Sequence, residues 1–191
     1  MAPLLLLISL QAGAYDVQPF SAEYHLYRGD SHIGNAEIRL QYDDGVWTWY
    51  TETRPVGLYR LFTNKVPFAE TRMRPASDRL KLSQQRVGDN PQQAAEEKTW
   101  FDQQRGLIFY NKKKKNRQLK MPDEVYDYLS IHLLHRQMAD AGLAEKDIVF
   151  YKNGKLVDSH IRLDRQLELA RDGSKFRVDR LTQSFDGSRK K

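Results

Sequence analysis

The side chains best suited to metal chemistry are two histidines on one helical face. His132 and His135 lie three positions apart in a segment with helical periodicity, so their imidazoles project from the same side. Two imidazoles at this spacing can hold zinc when a third ligand comes from elsewhere in the fold. The residues that could supply it are His25, His32 and His160. No HExxH-type motif frames the pair, so a polar helix edge is the simpler interpretation and no metal site is predicted.

The remaining catalytic patterns lack the residues that normally frame them. The chain contains no cysteine, which excludes disulfides, thiolate metal sites, iron–sulfur clusters and cysteine nucleophiles. Ser130 and Ser159 lack the flanking glycines of a nucleophile elbow, and no glycine-rich phosphate-binding loop occurs. We therefore predict that the protein is not an enzyme and needs no cofactor.

A basic run, NKKKKNRQLK, is the most conspicuous charged feature of a chain whose formal net charge is +6. Its predicted contact residues are Lys112, Lys113, Lys114, Lys115 and Arg117. Such a run can bind an anionic surface, where each lysine contributes about 1 kcal/mol. The alternative is a solvated hairpin tip that keeps a strand edge from aggregating.

Aromatic residues are the second candidate for a binding function. Alternate residues of every strand face the concavity of a curved antiparallel sheet, and such a concavity can hold an apolar or lipid-like molecule. The residues predicted to line it are Trp47, Trp49, Tyr59, Phe62, Trp100 and Phe109. The alternative is that these aromatic side chains simply fill a core.

Period-two alternation dominates the chain and predicts β-strands, for example in FSAEYHLY and IGNAEIRLQY. Asn153-Gly154 is a strong hairpin signal, because both central residues of a type I′ turn need a positive φ. Asp43-Asp44-Gly45 and Asp172-Gly173 connect neighbouring strands in the same way. The predicted fold is mainly β. It is a curved antiparallel meander that forms a half-barrel or barrel, lipocalin-like or lipoprotein-carrier-like, with one main α-helix packed on or in it.

One segment, MPDEVYDYLSIHLLHRQMADAGL, predicts that helix, with Asp123 as N-cap and Gly142 just after its end. Its apolar side chains form two stripes, one of Val125, Leu129 and Leu133 and one of Ile131, Leu134 and Met138. Together the stripes are wider than a surface helix requires, so we expect burial on more than one side. A second segment, VGLYRLF, is either a helical turn or an apolar loop.

Six blocks of this sequence carry a resemblance to a known family. They are FSAEYHLYRGDSHIGNAEIRL, WTWYTETRPVGLYRLF, ETRMRPASDRLKLSQQRV, KTWFDQQRG, PDEVYDYLSIHLLHRQMADAG and RVDRLTQSFDGSRKK. Their order and spacing resemble an exported bacterial family catalogued as domain of unknown function 3108. The resemblance implies a β-rich exported protein with no established catalytic residues. Since that family's pattern continues beyond the RKK position, the resemblance implies either a naturally shorter gene product or a chain truncated at its C-terminus.

Residues 1–14 are predicted to be a signal peptide. The apolar run from Leu4 to Leu10 is far shorter than the roughly 20 residues that span a bilayer. Ala12-Gly13-Ala14 supplies the small residues of a cleavage site, which leaves residues 15–191 as a single β-rich domain. The alternative is a buried N-terminal strand. No later segment is long and apolar enough to span a bilayer, so the chain is not expected to be an integral membrane protein.

Two functional hypotheses follow for a periplasmic or otherwise exported bacterial protein. The first is a carrier or sensor that binds an apolar or lipid-like ligand in its concave sheet. The second is an envelope interaction or assembly factor with a filled core, which acts through its basic face and sheet edge. Export favours lipid or lipopolysaccharide headgroups as the anionic partner and argues against nucleic acid. The ligand, any protein partner and the oligomeric state are left open by the sequence.

The export prediction is tested by N-terminal sequencing of protein isolated from the cell envelope fraction. We expect the mature chain to begin at or near Tyr15. Soluble cytoplasmic protein that retains Met1 would overturn the assigned compartment and restore nucleic acid as a partner.

Overall fold

The computed structural model describes residues 17–76, 79–171 and 173–185. The predicted signal segment and the C-terminal RKK residues lie outside these ranges, as does Asp172 of the predicted Asp172-Gly173 turn. The described chain is mainly β-strand, with one α-helix and one short 3₁₀ helix.

Eight consecutive strands form a single antiparallel sheet in sequence order. They are β1 (Phe20–Arg28), β2 (Ser31–Asp43), β3 (Val46–Pro55), β4 (Phe68–Pro75), β5 (Leu80–Gly88), β6 (Glu97–Asp102), β7 (Leu107–Lys112) and β8 (Lys115–Lys120). Strands β1 and β8 are the two edges, and the sheet is open between them. The predicted meander is therefore confirmed, in its open rather than its closed alternative.

A smaller antiparallel sheet follows the helix. It consists of β9 (Glu145–Lys152), β10 (Lys155–Arg171) and β11 (Ser174–Phe185), with β10 in the middle. The hairpin between β9 and β10 turns at Asn153 and Gly154, whose φ angles are 51° and 71°. Both values are positive, as the predicted type I′ turn requires. A Cβ on Gly154 would lie 2.6 Å from the Tyr110 ring, so the tip of this hairpin packs directly on the large sheet.

Helix α1 spans Ile131–Ala141 and is buried on two sides. Leu129 and Leu133 belong to the core cluster that covers the inner face of the eight-stranded sheet, around Leu40 and Met73. The other apolar stripe joins a second cluster, whose members include Ile131, Leu134, Met138, Ile148, Phe150 and Ile161. The expected burial on two sides is therefore confirmed, and each predicted apolar set faces a different sheet. Val125 and Leu129 of the first set, however, lie before the helix begins.

The helix begins later than its sequence suggests, and Asp123 is not its N-cap. Tyr126 forms a parallel bridge to Phe150, so the chain before the helix is extended against β9. Ser130 occupies the N-cap position, where its side chain makes no capping bond. Asp127 instead caps the turn that leads into the helix, because its Oδ1 accepts the backbone N–H groups of Leu129 (3.1 Å) and Ser130 (2.8 Å). The Ser130 hydroxyl oxygen accepts the Asp127 N–H in return, at 2.8 Å, which completes a capping box.

The same carboxylate ties the start of the helix to the centre of the large sheet. Asp127 is fully buried, and its second oxygen, Oδ2, accepts the Thr71 hydroxyl at 2.5 Å and the Gln85 amide at 2.7 Å. Thr71 and Gln85 are paired across strands β4 and β5. All four hydrogen bonds that the carboxylate accepts therefore come from buried donors, two in each layer of the fold.

Replacing Asp127 with Ala should lower the free energy of unfolding by about 3 kcal/mol or more, because buried donors lose their acceptor. Asp140→Ala is the matched control. That carboxylate is 74% exposed, and its ion pair with Arg136 is long, at 3.8 Å. This substitution should change stability by less than about 0.5 kcal/mol. Urea unfolding measures both. Equal stability of the two variants would show that the Asp127 contacts do not hold the layers together.

Candidate functional site

The connections between strands at one end of the eight-stranded sheet lie side by side. Because neighbouring strands run in opposite directions, every second connection emerges at the same end. Four segments lie there, and we call them the loop rim: 28–31, 56–67, 89–96 and 112–115. The rim carries both the predicted basic run and the segment VGLYRLF.

The basic run forms the hairpin turn between β7 and β8, with Lys113 in the left-handed region at φ 53°. Lys112 Nζ lies 3.3 Å from the Glu97 carboxylate, and Lys113 Nζ lies 3.7 Å from that of Glu96. The hydrogen bond to Glu97 raises the pKa of the Lys112 amine. Within the described residues, Lys114 and Lys115 have no carboxylate partner, so their charges face solvent.

The fifth cation of the predicted surface has a structural contact. Arg117 Nη1 donates to the Gly154 carbonyl at 3.3 Å and so helps to hold the tip of the small sheet. Its strand, β8, is an edge strand whose side chains are almost all exposed. Charged residues on an exposed edge also prevent edge-to-edge pairing, so the predicted protective role fits this position as well.

The segment VGLYRLF forms a 3₁₀ helix at Gly57–Leu61 that has no buried residue. Leu58 is 74% exposed, Leu61 is 80% exposed and the adjoining Phe62 is 84% exposed. The structure has the first of the two alternatives for this segment, a helical turn rather than a loop. The sequence gives no sign that its apolar side chains stay in water. The pattern alone cannot reveal this, because a short apolar run is equally typical of a buried loop.

Hydrogen bonds to strand β2 and to the neighbouring rim segment 89–96 fix this turn in place. Val56 N–H donates to the Ile33 carbonyl at 3.2 Å, and Val66 N–H donates to the Asp89 carbonyl at 2.7 Å. Lys65 Nζ also lies 2.5 Å from the Asp89 carboxylate. The 3₁₀ helix is therefore held at both ends while its apolar side chains remain exposed.

The six aromatic residues predicted to line one concavity lie in three different places, which corrects that prediction. Trp47 and Trp49 are on the inner face, where both pack in the core. Trp100 and Phe109 pair across β6 and β7, on the opposite face, because Thr99 and Phe101 on either side of Trp100 point inward and are buried. The last two, Tyr59 and Phe62, contact each other on the loop rim.

Two grooves on the described surface contain none of these six aromatic residues. One of about 510 Å³ is lined by Pro122, Glu124, Asp147, Ile148, Val149, Asp158, Ser159 and His160. Another, of about 380 Å³, is lined by Ser21, Glu23, Asn35, Ala36, Glu37, Glu52, Arg54, Val56 and Arg60. Both linings contain several ionisable side chains and no phenylalanine, tyrosine or tryptophan, whereas pockets for apolar ligands are lined mainly by hydrophobic and aromatic side chains.

The five histidines are divided among three sites. His132 stacks on Trp49 and meets His135 edge to face, with ring centroids 5.5 Å and 5.7 Å apart. Of the others, His25 and His32 both contact Asn35 Oδ1, and His160 contacts Asp147. No group of three metal-binding side chains occurs among the described residues, so none of the three histidines considered as a third ligand joins His132 and His135.

Burial gives His135 an unusual titration. Its Nε2 is enclosed and has no hydrogen-bond partner in the described part of the chain. Desolvation, with a smaller effect of the neighbouring His132, lowers the pKa of His135 to about 4. The imidazole is therefore neutral in the folded protein at pH values where an unfolded chain would begin to protonate it.

Comparison with known proteins finds a likeness to solved structures. No family model matches the chain, and no curated protein matches it. Three chains of solved structures match. One is the crystal structure of a beta-barrel-like protein of domain of unknown function 1849 from Brucella abortus, at 14% identity, with 91% of this chain and 80% of that chain covered and a TM-score of 0.47. The resemblance to domain of unknown function 3108 stays a prediction.

A separate observation concerns membrane-crossing helices. In residues 17–76, 79–171 and 173–185, neither helix combines the length and the apolar character that crossing a bilayer would demand.

Acid should weaken the fold partly through His135. The folded pKa lies below the unfolded value of about 6.5, so the unfolded state binds the proton first and the stability falls as the pH drops from about 6.5 towards 4. His135→Leu removes this contribution and also the unpartnered nitrogen. Urea unfolding at pH 7 and pH 5 should therefore show a smaller loss in the variant than in the wild type. Equal losses would mean that His135 is solvated in the folded state.

Proposed function

We propose that this is an exported bacterial envelope protein with a filled core, which acts by binding an anionic membrane surface through its loop rim. This is the second of the two functional hypotheses that the sequence raises. The observation that carries the proposal is the packing of the inner face of the large sheet by the protein's own helix and small sheet.

That packing leaves little of the inner face for a ligand. Met73, Ile108 and Tyr151 are all fully buried, although they come from β4, β7 and β9. Tyr151 donates or accepts a hydrogen bond at 2.7 Å from Thr99 and packs on Phe101 with ring centroids 5.3 Å apart. Strand β9 therefore occupies the place that a carrier would keep for an apolar molecule.

The position of the basic turn supports an electrostatic role for the surface. Lys114 and Lys115 are exposed and lack carboxylate partners within the described ranges, and a cation is most available to an external anion when no internal one holds it. Headgroup phosphates of anionic lipid or lipopolysaccharide are the partners that suit an exported protein. The predicted signal peptide and the resemblance to the exported family of domain 3108 support this compartment, in which nucleic acid is not an expected partner.

Removing the two solvent-facing charges tests the proposal. Lys114→Gln with Lys115→Gln should weaken binding to anionic vesicles by about 30-fold, because each lysine contributes about 1 kcal/mol near such a surface. Wild-type binding should also fall steeply as salt is raised. Flotation with vesicles of defined anionic lipid content measures both effects.

The matched control removes two cations from the opposite end of the sheet, as Arg74→Gln with Arg105→Gln. Both side chains are exposed, and the control should bind as the wild type does. Equal loss in the two variants would indicate a response to net charge alone. No loss in the Lys114 and Lys115 variant would leave only edge protection as the role of the run.

A further inference from the structure

Three large apolar side chains on the loop rim have no role in the core. Leu58, Leu61 and Phe62 are 74%, 80% and 84% exposed. Leu58 and Leu61 lie on the short 3₁₀ helix, and Phe62 follows directly after it. Burying a leucine or phenylalanine side chain stabilises a protein by about 1.5–3 kcal/mol. A fold that leaves three of them together in water forgoes this gain, and such clusters mark surfaces that bind something apolar.

The backbone of this turn is fixed by contacts that do not involve the exposed side chains. Arg60 Nε donates to the Pro55 carbonyl at 3.1 Å, and Phe62 N–H donates to the Tyr59 carbonyl at 3.1 Å. Tyr59 is also a large residue of this turn, but unlike Leu58, Leu61 and Phe62 it is partly covered. The side chains are therefore presented on a held backbone, which reduces the entropy that binding would have to offset.

The charges of the loop rim indicate what the apolar turn binds. The rim contains more cations, Arg28, Arg60, Lys65, Lys112, Lys113, Lys114 and Lys115, than carboxylates, Asp30, Asp89 and Glu96. The turn between β3 and β4 and the basic turn between β7 and β8 are four strands apart, which is about 19 Å at the usual strand spacing. An apolar protrusion beside cations on one rim matches a bilayer interface, where acyl chains lie directly below anionic headgroups.

We propose that Leu58, Leu61 and Phe62 form a shallow membrane anchor, whose side chains enter the interface of an anionic bilayer while the rim cations contact the headgroup phosphates. The inference rests on the proposed surface function and adds a second, apolar component to it. Interfacial elements of this kind reach about 5–10 Å into the boundary between headgroups and acyl chains. Binding should therefore retain a part that salt does not remove.

The absence of cysteine from the chain permits a direct test. Leu61→Cys carries an environment-sensitive fluorophore, and Leu169→Cys is the matched control, because Leu169 is also an exposed leucine, at 55%, on the β10–β11 hairpin. Vesicles with anionic lipid, with and without acyl-chain quenchers, are added to each labelled protein. We expect a blue shift and quenching at position 61 and neither at position 169.

A second variant separates the anchor from the electrostatic contact. Leu58→Ser with Leu61→Ser and Phe62→Ser should keep the fold, as checked by thermal unfolding, but should lose vesicle binding by about tenfold or more at high salt. The corresponding control is Leu169→Ser with Phe176→Ser, which replaces two other exposed apolar residues and should bind normally.

The outcomes distinguish the two proposals. Salt-sensitive vesicle binding without any shift at position 61 overturns the anchor and leaves the electrostatic function standing. A shift and quenching at position 61 that persist with purely neutral vesicles support the anchor but contradict the need for anionic lipid. No binding to either kind of vesicle overturns both, and the apolar turn would then be a contact for a protein partner.

Discussion

The fold depends on one buried carboxylate that joins its two layers. Asp127 caps the turn that starts the helix, and the same side chain accepts hydrogen bonds from Thr71 and Gln85 in the middle of the large sheet. A buried charge is stable only when its oxygens are fully hydrogen-bonded. This requirement fixes the helix start over two particular strands, since a shift of one residue would leave the carboxylate or its donors unpaired.

That constraint decides how the inner face of the sheet is used. Once Asp127 is in place, helix α1 lies between the two sheets, and its apolar stripes are divided between two core clusters. The β9–β10 hairpin then packs over the remaining strands, with Gly154 against Tyr110. Packing of this kind is close to that of an organic crystal, so the inner face contributes stability and the candidate interaction residues lie on the exterior.

The topology of the sheet concentrates those exterior residues. In an antiparallel meander, alternate connections share one end, which brings a basic turn and an apolar turn to the same rim although about 50 residues separate them in sequence. Backbone hydrogen bonds from Val56 and Val66 hold the apolar turn there. Carboxylates of the rim hold Lys65 and Lys113, and Glu97 at the start of β6 holds Lys112. Lys114, Lys115 and the side chains around Leu61 remain facing solvent, and these are the groups through which we propose contact with a charged, partly apolar surface.

The sequence by itself determined the strand-rich meander, the Asn153-Gly154 turn and the helical stripe of Ile131, Leu134 and Met138, because alternation, turn chemistry and helical periodicity are local properties. Only the tertiary structure decided that Asp127 rather than Asp123 caps the turn that leads into the helix, since the choice depends on Thr71 and Gln85, which are distant in the chain. It also separated Trp49 from Trp100, because the face to which a strand residue points depends on register, and register is set by neighbouring strands. For the same reason the exposure of Leu58, Leu61 and Phe62 could not be predicted: whether an apolar residue is covered depends on what the rest of the chain packs against it.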